Sequence, residues 1–266
     1  MSFLAVEELV ARIPDGAFVA LPPDYSGCAM AAVRGLLWRP ARGLRLLGVP
    51  QLGLQADLLI GAGCVAEIET AALSLGEHGL APAFGRAWEK GAIAVRESTC
   101  PAIHAGLQAA EKGVPFMPLR GVLGSDLLDL RPDWKVLDNP FAEKDPILLV
   151  PAIRPDVALF HAPLADRAGN VWIGVRRELL TMAHAARRCL VTVEAVTEED
   201  LLADDRTAAG TVPALYLEAV AEAPGGGWPV GLQGAYPADD AWLARYARGG
   251  LTEAGFAAML AEFVAR

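Results

Sequence analysis

Val157-Ala158-Leu159-Phe160-His161 and Cys189-Leu190-Val191-Thr192-Val193-Glu194 stand on either side of the amphipathic stretch Glu178–Arg187. Each flanking segment is a near-continuous apolar run, the pattern of a strand covered on both faces, and the stretch between them has helical spacing. A strand, a helix and a second strand in that order form a unit whose two strands run parallel. This reading decides the fold, because the same alternation continues in both directions along the chain.

Further strands are predicted at Ala17–Leu21, Leu44–Val49, Asp57–Ile60, Ala71–Leu75, Ala92–Arg96 and Ile147–Val150. Helices are predicted at Val6–Ile13, Ala29–Leu37, Ala81–Lys90, Pro101–Lys112, Pro213–Ala221, Ala241–Arg248 and Thr252–Val264. Gly91 after Glu89-Lys90 and Gly113 after Glu111-Lys112 read as helix stops, and Thr197-Glu198-Glu199-Asp200 reads as the N-cap of a short helix. The expected fold is α/β, an open and mainly parallel sheet with helices on both faces. Residues 1–225 are expected to form this domain, with 226–266 a helical extension packed on it. Arg120–Asp145, rich in Gly, Pro and polar residues, reads as a long irregular segment that is functional or touches a partner. Pro224–Pro237 reads as a second Gly/Pro-rich connector.

The 266 residues are 53% hydrophobic and 21% charged, ordinary for a globular α/β protein, and suffice for a sizeable core. A net charge of −9 argues against nucleic acid as a partner, since phosphate binding needs a basic surface. No apolar run approaches the roughly 20 residues of a membrane span, and Met1–Glu8 lacks the pattern of a signal peptide. A cytoplasmic location is the expectation. Cys28, Cys64, Cys100 and Cys189 form no CxxC pair and have no His at metal spacing, so free thiols and no metal site are expected.

Gly61-Ala62-Gly63-Cys64-Val65-Ala66 matches a dinucleotide fingerprint and follows a predicted strand. The fingerprint must open a crossover helix of at least about ten residues, and too little chain lies between Gly63 and the strand predicted at Ala71. Nucleotide binding is therefore not expected. No hydrolytic triad, zinc motif or phosphate loop is present. Of the histidines, His104 and His184 fall in helical patterns, whereas His161 ends a strand and His78 lies in a loop, positions better suited to a site.

Two loops have the composition of a ligand site. Leu73–Leu80 collects Ser74, Gly76, Glu77 and His78 after a predicted strand, and ligands bind at the carboxyl ends of parallel strands. Leu119–Asp126 contains Gly124-Ser125 and offers backbone amides that could hold an anion or oxyanion. A solvated turn is an equally good reading of either.

Several segments, in order, resemble the A subunits of glutaconate-type class I CoA-transferases. They are Leu59–Gly63, Ala87–Ile93, Ala105–Ala110 running into Gly113–Pro118, Gly124-Ser125, Asp138–Phe141, Val150–Ala158, and His161-Ala162 followed by Asp166–Val171. The resemblance implies the class I subunit fold and a B-subunit partner. It also implies an acyl-CoA thioester and a carboxylic acid as substrates, with no permanently bound cofactor. In this family a glutamate carboxylate attacks the thioester carbonyl, giving a mixed anhydride and CoA thiolate. The thiolate then attacks the glutamyl carbonyl, forming an enzyme thioester and releasing the acid. The glutamate is expected in the B subunit, so no nucleophile is assigned to this chain; Glu77 is the weak candidate. Ser74, Gly76, Glu77, Gly124 and Ser125 are the expected substrate-binding residues. Pro22-Pro23 stands where the family commonly has Gly-Gly, which removes backbone donors there, and Gly76 stands where relatives can carry serine. Two alternative readings are a subunit for hydrolysis or ring cleavage of a CoA thioester on the same scaffold, or a non-catalytic ligand-binding subunit.

Overall fold

The computed structural model describes residues 2–39 and 41–266. In chain order the strands are β1 (Ser2–Leu4), β2 (Phe18–Leu21), β3 (Leu44–Gly48), β4 (Val65–Thr70), β5 (Ala94–Glu97), β6 (Phe116–Leu119), β7 (Lys135–Asp138), β8 (Pro146–Pro151), β9 (Val157–Asp166), β10 (Val171–Trp172), β11 (Arg188–Thr197), β12 (Thr211–Val212) and β13 (Ala219–Glu222). The helices are α1 (Val6–Val10), α2 (Met30–Trp38), α3 (Leu54–Gly61), α4 (Pro82–Glu89), α5 (Cys100–Glu111), α6 (Leu127–Leu130), α7 (Arg177–Ala185), α8 (Asp205–Ala208), α9 (Asp240–Gly249) and α10 (Glu253–Val264).

The main sheet runs β1-β13-β11-β9-β2-β3-β4-β5 with every neighbouring pair parallel, and β10 and β12 add antiparallel on the far end of β9. A second sheet, β6-β8-β7, is antiparallel. The α/β expectation holds, and β9, α7 and β11 are the unit read from the sequence.

Alternate residues of each central strand feed two separate cores. Val19, Leu46, Leu159, Leu190 and Ala221 point to the face covered by α1, α2, α3, α9 and α10. Ala20, Leu47, Phe160, Val191 and Val220 point to the face covered by α5 and α7. Burial on both faces is why these strands read as unbroken apolar runs.

Several expectations fail. Asp57–Ile60 lies within α3, whose residues from Leu54 to Ile60 are all buried; a helix apolar all round carries no helical period and imitates a strand. The following strand is Val65–Thr70 and not Ala71–Leu75, because Glu67 and Glu69 weaken its apolar signal. The Gly61/Gly63 pair thus closes a helix and leads into a strand, the reverse of a dinucleotide fingerprint. Pro213–Ala221 is a 3-10 turn (Ala214–Tyr216) followed by β13, the short strand that seats between β1 and β11. Thr197 ends β11, and its hydroxyl accepts from the Glu199 amide at 3.2 Å in a turn that opens no helix. Finally, Arg120–Asp145 is not irregular throughout: it contains α6 and β7, whose four exposed residues have no buried face to reveal them.

Buried carboxylates fasten helices together from within. Both oxygens of Asp24, just after β2, lie 3.0 Å from the Leu54 amide that opens α3. Gly53 makes this possible, since a Cβ there would fall 2.3 Å from the Asp24 carboxylate. Asp57 of α3 in turn accepts from the Ala83 and Phe84 amides that open α4, at 3.2 and 2.7 Å, and from the Tyr246 hydroxyl of α9 at 2.7 Å. Burial raises the Asp57 carboxyl above the usual range, and these three donors oppose that rise. Trp228, Trp242, Tyr246 and Phe263 stack around the same point, so residues beyond 226 share the core of the α/β sheet.

The small sheet is fastened by charge. Arg131, buried, lies 2.9 Å from Glu69 at the end of β4 and grips Asp133 through two bonds at 3.1 and 3.0 Å. It also donates to the Glu97 carbonyl at 2.9 Å, and Arg96 meets Asp133 at 2.7 Å. Such a buried pair is costly to break on one side only, because it leaves a charge without its partner.

Tyr246→Phe keeps the stacked ring and removes one donor from a buried carboxylate. Urea unfolding at neutral pH is expected to show a loss of about 1.5–3 kcal/mol. An unchanged midpoint would mean that Asp57 does not hold α3, α4 and α9 together.

Candidate functional site

Strand order reverses between β9 and β2: later strands continue outward through β11 and β13 on one side, and β3, β4 and β5 follow on the other. In open α/β sheets the crevice at the carboxyl ends beside such a reversal is where ligands bind. The loops that rise there are Pro22–Gly27 after β2, Ala71–Ala81 after β4, Ser98-Thr99 after β5 and Ala223–Ala238 after β13.

At the reversal a buried polar network closes the floor. His161, fully buried in β9, donates from Nε2 to Glu194 Oε1 at 2.6 Å, and its Nδ1 lies 2.8 Å from Thr192 Oγ1. Thr192 and Glu194 are two apart on β11, so both face the same side as the imidazole. Glu194 also accepts from the Tyr236 hydroxyl and, through Oε2, from the Gly225 amide at 2.8 Å. The Tyr236 oxygen accepts from the Gly227 amide at 2.8 Å. Burial would raise the Glu194 carboxyl, but bonds from His161, Tyr236 and Gly225 outweigh it and hold the group at about 2. Tyr236 is pushed well above its ordinary value by burial and by the carboxylate it donates to.

The backbone closes over His161 from the other side. Its amide donates to the Gly27 carbonyl at 2.7 Å, and Gly27 has φ +78° with no room for a Cβ, which would sit 2.2 Å from the His161 carbonyl oxygen. Both ring nitrogens of His161 are engaged within the network, so His161 positions the loops around it.

The sequence-predicted loops lie outside this buried network. Ser74 sits half-buried, its amide donating to the Leu52 carbonyl at 3.3 Å and its hydroxyl 3.4 Å from the Gly76 amide. Gly76–His78 form one 3-10 turn, with Gly76 at φ +59°, Glu77 exposed, and His78 lying 3.3 Å from Asp240 of α9. This loop does rise at the carboxyl end of a parallel strand, though that strand is β4. Gly124-Ser125 belongs to the exposed turn between β6 and α6, where Gly124 has φ +79° and the Ser125 hydroxyl donates to the Val122 carbonyl at 2.8 Å. No hydrogen bond joins the two loops among the described residues. Carboxylates at this rim, Glu77 and Glu97, are exposed, and neither accepts a hydrogen bond among the described residues. Among these residues, too, no cluster of three or more His, Cys, Asp or Glu could hold a metal, and no helix is long and apolar enough to cross a membrane. Cys28, Cys64 and Cys189 are buried free thiols; Cys100 is exposed.

The sequence marks Leu73–Gly79 as a loop, but it places His161 at the end of a strand, whereas β9 runs on to Asp166 and His161 lies in its middle. The partners of His161 were missed. The signal was there: Thr192 and Glu194 are polar residues at a spacing of two within an otherwise apolar strand.

Because the Glu194 carboxyl is held below its ordinary value of 4.5, its contribution to stability is fully present above that pH and is lost as pH falls toward about 2. Acid unfolding should therefore be steeper for the wild type than for Glu194→Gln, which should cost about 1.5–3 kcal/mol at neutral pH. Parallel stability–pH curves for the two proteins would contradict the network.

The coenzyme A transferase family model matches residues 3–223. The A subunit of a 3-oxoadipate CoA-transferase from Pseudomonas knackmussii is 33% identical, the match covering 97% of this chain and 98% of that protein. A cholesterol ring-cleaving hydrolase IpdA subunit from Rhodococcus jostii is 30% identical over 88% of this chain and 82% of its own length. An Archaeoglobus fulgidus protein is 32% identical over 95% of this chain, which spans only 57% of that longer relative. Among solved structures, a variant of the decarboxylase AibA/AibB superposes with a TM-score of 0.88 at 33% identity, covering 100% of this chain and 98% of that one. Glutaconate coenzyme A-transferase from Acidaminococcus fermentans superposes with a TM-score of 0.89 at 25% identity, covering 98% and 88% respectively. With the doubly covered parallel sheet and small antiparallel sheet already described, these matches place the chain in the class I coenzyme A transferase family, among its A-type subunits.

Proposed function

We propose that the chain is the A subunit of a heteromeric acyl-CoA:carboxylate CoA-transferase, and that it walls the acyl pocket while a B subunit supplies the nucleophilic glutamate. The observation that carries this reading is the match, over nearly the whole of both chains, to the A subunit of a 3-oxoadipate CoA-transferase. The state of the rim carboxylates supports it. A carboxylate is a weak nucleophile in water and needs desolvation and placed donors to attack a thioester. Glu77 and Glu97 have neither in this chain.

Ser74, Gly76 and Glu77 on one loop, with Gly124 and Ser125 on the other, are the proposed pocket walls. Gly76 turns the loop at φ +59°, and the half-buried Ser74 hydroxyl, 3.4 Å from the Gly76 amide, is the group proposed to orient an acyl oxygen. The attack forms the anhydride C–O bond as the thioester C–S bond breaks. CoA thiolate returns to the glutamyl carbonyl and expels the donor acid as a carboxylate. The acceptor acid then reverses both steps. A CoA-thioester hydrolase or ring-cleaving subunit is the second reading, favoured by the similarity to the IpdA hydrolase subunit.

Initial rates of the complex with its B subunit should give the parallel double-reciprocal lines of a ping-pong transfer, with no turnover when the acceptor acid is omitted. Turnover without acceptor would favour the hydrolase reading and sink the transferase one. Ser74→Ala, Glu77→Gln and Ser125→Ala should each slow kcat/KM by roughly tenfold, about 1.4 kcal/mol, without dissociating the complex. Wild-type rates for all three would remove both loops from the pocket.

A further inference from the structure

A cavity opens at the strand reversal itself, above β9 and beside the loop that follows β2. It has a volume of about 190 Å³ and is walled by Tyr25, Trp172, Ile173, Leu179 and Leu232, with His161 on its floor. A cavity of about 150 Å³ is enough to accommodate benzene. Between β4, which carries the Ser74 loop, and β9 lie β2 and β3. Tyr25 and Gly27 after β2 also line the cavity, so its near wall stands two strand spacings, roughly 10 Å, from that loop measured across the sheet.

The walls are apolar, and one cation lines the cavity. Arg176 meets the Gln233 side-chain oxygen and lies 5.6 Å from the centre of the Tyr25 ring. Both partners are neutral. No carboxylate lies within ion-pair distance of Arg176 among the described residues, as is also true of several surface arginines, but Arg176 is the one that lines this cavity. The nearest acidic residue in sequence, Glu178, is engaged instead with the Ser26 hydroxyl. A guanidinium presents a planar fork of donors that matches a carboxylate in a two-bond contact. A half-buried guanidinium satisfied only by an amide oxygen and a ring face thus retains capacity for an anion, and the walls beside it suit an apolar body.

We infer that this cavity binds a small apolar monocarboxylate, its body between Trp172 and Leu179 and its carboxylate on Arg176. Gln233 occupies the guanidinium in the free protein and is displaced when the acid binds. These residues alone make the site, whatever chemistry the complex performs on CoA thioesters.

Benzoate titrated into the purified full-length chain, followed by calorimetry, tests it. Benzoate should saturate at one site, and the isosteric neutral benzamide should bind at least roughly tenfold more weakly. Arg176→Gln should weaken benzoate by a similar factor, while Gln233→Ala, which removes the competing amide, should bind at least as tightly as wild type. Ser74→Ala should bind as wild type does, which separates this cavity from the proposed acyl pocket. Equal binding of benzamide, undiminished binding by Arg176→Gln, or no saturation up to the solubility of benzoate would each overturn the assignment. A thermal melt of Arg176→Gln at the wild-type temperature confirms that its loss is local; if that variant unfolds early, the benzamide comparison on the wild type decides.

Discussion

The Glu194 carboxylate is the contact on which the carboxyl edge of the sheet depends. It takes donors from a strand neighbour (His161), from the Gly/Pro-rich connector (Gly225) and from the end of that connector (Tyr236). One ion thus joins the middle of the sheet to the segment that delivers the C-terminal helices. The arrangement tolerates burial of charge because every donor is aimed at it. It also constrains its surroundings: Gly226 has no space for a side chain, since a Cβ would stand 2.7 Å from the imidazole.

Successive buried carboxylates extend the same logic across one face. Asp24 opens α3, and Asp57 within α3 opens α4 and holds α9 through Tyr246. Each helix start is therefore fixed by an acid belonging to a neighbouring element. The consequence for function is positional. Loops at the carboxyl edge stand on rigid supports, and rigid support is what the proposed acyl pocket, shared between two chains, requires.

The sheet and most of its helices were legible in the sequence because strands covered on both faces leave unbroken apolar runs. Legibility failed where burial erased periodicity, as in α3, and where exposure did so, as in β7. It failed also at β13, a short strand preceded by Pro213 and a 3-10 turn, whose place depends on partners far away in the chain. The site was legible only in part. Leu73–Gly79 could be marked as a loop after a strand, even though the strand itself was misplaced by several residues. The ties of Glu194 to His161 and Tyr236 and of Arg176 to Tyr25 cross long stretches of chain, and no local pattern announces them.

The central claim is that this chain shapes a pocket for chemistry begun by a glutamate on another chain. Its most direct test is to locate the covalent intermediate. The complex with its B subunit, incubated with acyl-CoA and quenched with borohydride, would be digested and mapped by mass spectrometry. The account predicts a reduced glutamyl residue on the B chain, with no modification between residues 1 and 266 of this one. An adduct on Glu77 or Glu97 of this chain would contradict it.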